Sequence, residues 1–551
     1  MRFIFFAISL VLVFGCLTQP AVPSGDEEPD IIVGNDADPH GCRQSAGYSW
    51  CEYTQGCYRQ WEENCTSPDE LSAEAERLYE GLYLTRSHEL YSQARKGYLL
   101  AGNNKAARQA MFRMFSIEHI LLEMNLDEGE AKALVAGNVT NATSAQVDAW
   151  LGDPRTIIFN IDGEPAYFQD VAKDVAFQNP NLLREYARRT GINAFYENLE
   201  PVVFNETPRS CGNCSFLTMP INYSGTATLN LERSELPETG VLKLWLPLPI
   251  ETPSQKEVEI LSITPGEYLA REPDTNADIG IAYFEVPLDS LDGDLNITII
   301  FRYTAYEVRG AVDPGRVGEY DVESELYQRY TSPSANIALT PQTRELAMQV
   351  VGNEINPYLK AQKLYWFVVN GTTYDFMPHI TMHELGIPES EYVREHKIGD
   401  CGSQSMFFAA LCRSVGIPAR AIGGYQLITG ATGSHFWAEF YIPGYGWLPA
   451  DVTVAEVSEW WYGVPEDKVM QYKAFYFGNN DAFRFIIQND VDIPFAPEPE
   501  ERITFPMVIQ SPAAVCESAD FDIGLVVAEE FSVEVLPEEE GPDANPAHNP
   551  W

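Results

Sequence analysis

Hydrophobic spacing changes period along the chain, and the changes mark its elements. Over residues 67–201 the period is helical: Leu78, Leu82, Leu90, Tyr91, Ala94 and Tyr98 recur at turn-length spacings. Ala106, Ala107, Ala110 and Phe112 open a further helix after a Gly102-Asn103 loop. Ser67-Pro68-Asp69-Glu70 starts this region, with Pro in the first turn and acids at the positive helix end. Tyr91, Ala94, Tyr98, Gly102 and Ala106 are spaced as in one tetratricopeptide unit, but one unit does not make a solenoid, so a helical bundle is expected. Over 217–306 the period falls to two: Thr226-Thr228-Asn230, Val241-Lys243-Trp245, 279–286 and Ile297-Ile299-Phe301 alternate between Pro- and Gly-rich turns, as in a β-sandwich. A helix is expected over 340–353. Another begins near residue 401, with Met406, Phe407, Ala410 and Leu411 on its apolar face and Gly416 and Pro418 to stop it. Strands follow at 419–425 and 434–441. In the second, His435, Trp437 and Glu439 share one side and Phe436, Ala438 and Phe440 the other. The Pro443-Gly444-Tyr445-Gly446 turn folds 447–453 back, so His435 and Asp451 can lie close together. Residues 505–509 and 521–527 read as two added strands.

Chemistry concentrates between residues 397 and 453. Cys401 falls on the first turn of its helix, after Gly399, which permits a tight entry, and Asp400, which suits an N-cap. The positive helix end and its unpaired N–H groups favour a thiolate there. Cys401, His435 and Asp451 follow in the order nucleophile, base and orienter required for thiol acyl transfer. The N–H of Cys401 is a candidate oxyanion donor. Tyr374-Asp375 stands just before this core, as a candidate cleft lining.

Gly399-Asp400-Cys401, the run from Leu411-Cys412-Arg413 to Pro418-Ala419-Arg420, Gly433-Ser434-His435-Phe436-Trp437-Ala438-Glu439 and Gly446-Trp447-Leu448-Pro449-Ala450-Asp451 together resemble the transglutaminase-like cysteine superfamily in its prokaryotic form. The resemblance covers about 330–487. Asn356-Pro357-Tyr358 resembles part of the preceding helix, and Phe477-Gly478-Asn479-Asn480-Asp481-Ala482-Phe483-Arg484 the closing segment. One departure is Val452, where the family usually has a proline after the Asp. The resemblance implies a papain-like fold with Cys401, His435 and Asp451 as the triad. It does not fix the reaction, because relatives include proteases, amidases, cross-linkers and inactive members.

Composition narrows the setting. The chain has 551 residues, too many for one core. Asp and Glu number 80 against 36 Lys and Arg, a formal charge of −44, which excludes a nucleic-acid-binding surface and suits an external protein. Arg2 and an apolar run over 3–14 read as a signal-peptide core. Val13-Phe14-Gly15-Cys16 resembles a lipoprotein cleavage motif with lipid on Cys16. An uncleaved anchor and plain secretion are the alternatives. Cys42, Cys51, Cys57 and Cys65 crowd a segment too small to build a core, so two disulfides are expected, with three connectivities open. Their spacings of nine, six and eight lack the close pairs of zinc modules. Cys211-Gly212-Asn213-Cys214 reads as a local disulfide, because no thioredoxin-like helix follows. That leaves Cys401, Cys412 and Cys516. Cys412 lies about 16 Å along the helix from Cys401 and cannot bond to it. Asp274, Asn276, Asp278 and Glu285 imitate a calcium loop, but the glycine falls one place late, at Gly280. Sequons at Asn138, Asn141, Asn205, Asn222, Asn296 and Asn370 fit an external location.

The expected architecture is multidomain α+β, with a papain-like transglutaminase core preceded by a β-sandwich-like domain, a helical region and a small disulfide-rich module. The divisions are signal peptide and lipobox 1–16, acidic linker 17–38, Cys-rich module 39–66, helical region 67–201, β-rich domain 216–310, transglutaminase-like catalytic domain 330–487 and acidic Pro-rich extension 488–551. The expected activity is extracytoplasmic thiol acyl transfer on a protein or peptide substrate, cleaving peptide or amide bonds through an acyl-enzyme. It needs no cofactor or metal, and a lipid or signal anchor holds the protein at the cell surface. Transglutaminase-type cross-linking to amines and a non-catalytic binding scaffold are the alternatives.

Overall fold

The computed structural model describes residues 36–59, 61–62, 64–139, 142–179, 181–183, 196–204, 217–428, 433–500, 510–516 and 522–538. The expectations for the signal sequence with Cys16, for Cys211 and Cys214, and for 505–509 and 541–551 fall outside these residues. The chain divides into one unit ending at Ser67 and another beginning at Pro68.

In the first unit, Tyr48–Cys51 pairs antiparallel with Gly56–Arg59, Trp50 opposite Cys57. The structure selects Cys42–Cys57 and Cys51–Cys65 from the three connectivities, each with a Cα–Cα distance of 5.5 Å. His40 stacks on Trp50 with ring centroids 4.3 Å apart. Two crosslinks and a few aromatic contacts here take the place of a core that so few residues cannot form.

The second unit opens with helices Pro68–Glu80, Leu84–Leu100, Asn104–Glu123, Glu128–Asn138 and Ser144–Leu151. Asp127 and Thr143 each close a capping box with the residue three places on, which fixes two of the helix starts. The expected helical run is interrupted by a hairpin, Ile158–Ile161 against Glu164–Tyr167. Asp162-Gly163 makes the turn with positive φ at both residues (55° and 87°), a pairing that favours a two-residue hairpin.

The sandwich follows. In one sheet Leu217–Leu231 lies between Leu295–Arg309 and Phe531–Pro537. Leu295–Arg309 also pairs with Gln255–Thr264 and, at its end, with Asn479–Asn480. The other sheet runs Ala513–Cys516, Val241–Pro247, Ile281–Pro287, Leu269–Arg271. Leu295, Ile297, Ile299 and Phe301 alternate inward along one strand, and Leu242, Leu244 and Leu246 along another. Chain beyond residue 488 therefore gives one strand to each sheet. Between them, Ile523–Glu529 is a helix rather than the strand expected near 521–527. Asp522 accepts the Gly524 N–H at 3.0 Å and starts that helix.

The helix Cys401–Ser414 is the centre of the third layer. All fourteen of its residues are buried, Phe407, Phe408, Leu411 and Cys412 completely. Helices Pro341–Val351 and Pro357–Gly371 pack against it, started by Thr340 and Asn356 caps with Pro at the first position. On its other side lies an antiparallel sheet in the order Gly446–Ala450, Gly433–Ile442, Ala419–Gln426, Arg484–Gln488. Phe436, Ala438 and Phe440 join the helix core, while Trp437 packs with Ile422, Ile486 and Ile250, the last from the loop after Val241–Pro247. The sheet is thus covered on both faces, which holds its strands in one register. A Phe407→Ala change here costs about 3–5 kcal/mol.

Candidate active site

The entry to the central helix is built residue by residue. Tyr374 pairs in parallel with Gly399 across the short strands Thr373–Tyr374 and Ile398–Gly399. A Cβ on Gly399 would stand 2.5 Å from Ser403 Oγ and 2.8 Å from Val393 Cγ2, so only glycine fits. Asp400 is the N-cap: its Oδ1 accepts the Ser403 N–H and O–H, both at 2.9 Å. Its Oδ2 meets His379 Nε2 at 2.8 Å, and His379 Nδ1 meets Glu389 Oε1 at 2.7 Å. Cys401 is the first helical residue, 9% exposed, and its amide lies at the end that lacks internal partners.

The hairpin brings His435 and Asp451 together, with Nε2 2.9 Å from Oδ2. His435 stands opposite Gly424 on the neighbouring strand and is 8% exposed. Asp451 is wholly buried. It caps the helix Val452–Glu456 by accepting the Val454 N–H at 3.0 Å. Arg484 Nη1 reaches the same Asp451 Oδ2 at 2.7 Å, and its Nε and Nη2 clasp Asp481 at 3.0 and 2.6 Å. The guanidinium lies over the Trp437 ring, 5.0 Å from its centroid. Burial pushes the Asp451 carboxyl up, but the neighbouring His435 and Arg484 charges outweigh it and bring the group down to about 2. Asp451 is therefore ionised at every ordinary pH. With Nε2 turned to Asp451, Nδ1 is the ring nitrogen left for the thiol.

Opposing influences meet at the Cys401 thiol. Burial pushes it well up and the Asp400 carboxylate adds to this, while the Phe436 and Gly402 N–H groups and the helix start pull the other way. Among the described residues no hydrogen bond joins Cys401 to His435, and the surroundings of the resting sulfur favour its protonated form. A catalytic hydrogen bond often tightens only when substrate is bound.

Other residues take less expected places. Tyr374 lies within electrostatic reach of Cys401 and Asp400, and burial raises its phenol, negative charge nearby adding to the rise. Asp375 is buried beside Asp174 of the helical region. Gln178 Nε2 binds it at 2.6 Å, while Asp174 accepts the Phe376 N–H at 3.0 Å. Phe177, also from the helical region, packs on Tyr374, Phe376 and Trp460 at centroid distances of 5.8, 5.5 and 5.1 Å. Glu456 accepts the Tyr374 N–H at 3.0 Å and Gln404 Nε2 at 3.1 Å, and its burial raises it to about 7. Glu439, on the His435 side of its strand, is occupied by Arg420 at 2.7 Å. Cys412 and Cys516 are buried and unbridged. Asp274, Asn276, Asp278 and Glu285 are used locally: Asp278 pairs with Arg329 at 2.6 Å and Glu285 accepts the Tyr283 hydroxyl at 2.7 Å. No group of metal-binding character occurs among the described residues.

Asp481 and Arg484 enter the sequence reading only as part of the closing segment, without a role, and His379 and Glu389 do not enter it. Arg484 carried a signal, a lone cation in the apolar run Ala482 to Ile487. His379 and Glu389 carried none, because His379 meets Glu389 and Asp400 only once the chain is folded.

Residues 344–452 match the model of the transglutaminase-like superfamily, so this part of the chain is a transglutaminase-like core. An uncharacterized protein of Haemophilus influenzae is 28% identical over 297 residues, covering 47% of this chain and 77% of that protein. Among solved structures, a candidate cysteine protease from Cytophaga hutchinsonii aligns with a TM-score of 0.35 and 14% identity, over 59% of this chain and 89% of the other. The periplasmic domain of TgpA from Pseudomonas aeruginosa aligns with a TM-score of 0.23 and 13% identity, over 46% of this chain and 98% of that one. At such scores the likeness carries no argument about function.

Proposed function

We propose that the chain is an extracytoplasmic thiol acyl-transfer enzyme that cleaves peptide or amide bonds of a protein or peptide substrate. The observation that carries the reading is the ordered line Arg484–Asp451–His435, ending at an imidazole whose free nitrogen is Nδ1, on the strand beside a helix-start cysteine. Cys401 Sγ attacks the substrate carbonyl carbon while His435 Nδ1 takes the thiol proton. The Cys401 N–H receives the developing oxyanion. His435 returns the proton to the leaving amine, and a thioester remains on Cys401. Water then attacks the thioester, giving up its proton through His435, and the carboxylic acid leaves as the thiol is restored. Asp451 fixes the tautomer and supports the imidazolium, and Arg484 keeps Asp451 ionised.

Water needs no dedicated site, which favours hydrolysis. An amine in its place gives cross-linking. The enclosed thiol, pushed up by burial, favours one further reading, a binding scaffold whose cysteine is inert. The two disulfides support an oxidising compartment. No helix among the described residues is long and apolar enough to cross a membrane. On its sequence pattern, the N-terminal segment with Cys16 is the proposed anchor, through lipid or an uncleaved signal sequence.

The test incubates the protein with a defined peptide mixture and dansylcadaverine, and follows peptide cleavage, dansyl incorporation and acylation of Cys401 by mass spectrometry. Cleavage and a Cys401 thioester, both lost in Cys401→Ala, are expected. Dansyl incorporation in place of cleavage moves the reading to cross-linking. Neither product, with Cys401 unacylated, overturns the enzyme reading.

A further inference from the structure

His379 belongs neither to the acid–base line nor to the apolar core, yet it is tied at both ring nitrogens. Nδ1 meets Glu389 at 2.7 Å and Nε2 meets Asp400 at 2.8 Å. A neutral imidazole has one N–H, so it cannot donate to two carboxylates, whereas an imidazolium can. Asp400 is adjacent in sequence to Cys401, and its other oxygen caps the Cys401 helix through Ser403. An ionised carboxylate at this point opposes ionisation of the neighbouring thiol. A fixed cation bound to that carboxylate offsets the opposition.

We propose that His379 is a positioning residue for the acyl-transfer reaction, its imidazolium clamped between Glu389 and Asp400 so as to hold the N-cap and cancel the Asp400 charge felt by Cys401. The proposal rests on reading Cys401 as the nucleophile. The surrounding charges agree with it. Burial works against a protonated His379, but the Glu389 and Asp400 charges win and hold it charged well past the usual imidazole range. Asp400 is held low by the same partner against its own burial. Glu389 opens the helix Glu389–His396 and is raised by burial against the pull of His379, with the Asp400 and then the Asp492 charge adding to the rise. Glu123, from the helical region, faces the same corner. It accepts the Ile380 and Thr381 N–H groups at 3.2 and 2.7 Å, and so starts the short helix that carries His379. A line of contacts therefore runs from the helical region through His379 to the residue before the thiol.

The experiment measures the pH midpoint of Cys401 alkylation by iodoacetamide in wild type, His379→Gln, Asp400→Asn and the double variant, by mass spectrometry. Asn keeps an N-cap without its charge. His379→Gln is expected to raise the midpoint by about one to two pH units, the scale of one uncompensated charge within several ångströms. In the Asp400→Asn background the same change is expected to move it little. An equal shift in both backgrounds overturns the proposal, since a purely structural role acts in either. An unmoved midpoint in folded His379→Gln overturns it too. Cys401 that never reacts in folded wild type overturns the enzyme reading instead. Should His379→Gln fail to fold, nitrogen-15 NMR of the wild-type histidines decides: His379 is expected to be imidazolium at pH 8, and a neutral ring there refutes the proposal.

Discussion

Replacing Arg484 with Met removes a guanidinium that serves two buried carboxylates at once. In the native protein Asp451 is held from an ordinary 3.8 to about 2, a shift equivalent to about 2–3 kcal/mol of favourable interaction. Asp451 is fully buried, so solvent screening does not reduce this much. Asp481 loses its bonds to Nε and Nη2 in the same step. Breaking a buried pair while leaving charges behind costs about 3–5 kcal/mol. The pH dependence follows from the sign of the shift. A carboxyl held low in the folded state contributes stability that is complete above about pH 4 and fades as pH falls towards 2. Arg484→Met is therefore expected to be less stable than wild type by about 3–5 kcal/mol at pH 7, with the gap shrinking at pH 3. Urea unfolding followed by tryptophan fluorescence reads this directly, because Trp437 lies under the guanidinium. A gap below about 1 kcal/mol at pH 7, or one that widens in acid, refutes the electrostatic account of Arg484.

Two further substitutions probe the helix entry. Gly399→Ala places a methyl against Ser403 and Val393 and is expected to cost about 1–3 kcal/mol in thermal or urea unfolding and to disturb the Asp400 cap; wild-type stability would contradict the close packing drawn there. Glu456 is raised from 4.5 to about 7, so its folded form favours the acid, and wild type is expected to lose about 1–3 kcal/mol as pH rises between those values. Glu456→Gln removes that slope in melting temperature against pH, and an unchanged slope assigns it elsewhere.

Local pattern carried the sequence analysis where the code is local. The helix at Cys401, its Asp400 cap and the His435–Asp451 hairpin follow from apolar period, capping chemistry and the Pro443–Gly446 turn. The sandwich alternation was legible for the same reason. The hairpin inside the helical region announced itself only through Asp162-Gly163, a signal overshadowed by its helical surroundings. Residues 513–516 and 531–537 join sheets built some 270 to 310 residues earlier, a pairing no local pattern encodes. The thiol's charge state was likewise out of reach. Position at a helix start argues for a thiolate, but burial and Asp400 oppose it, and their weight depends on what the fold encloses. Arg484, His379 and Glu389 matter through partners up to 33 residues away, and only the assembled structure brings them together.

The central claim is that Cys401 becomes a nucleophile through His435. The most direct measurement is iodoacetamide labelling of folded protein across pH, read site by site by mass spectrometry in wild type and His435→Ala. Cys401 is expected to label at neutral pH well ahead of the buried Cys412 and Cys516, and to lose most of that reactivity, about tenfold or more, in His435→Ala. Labelling of Cys401 only after unfolding, with His435→Ala indistinguishable from wild type, would contradict the account.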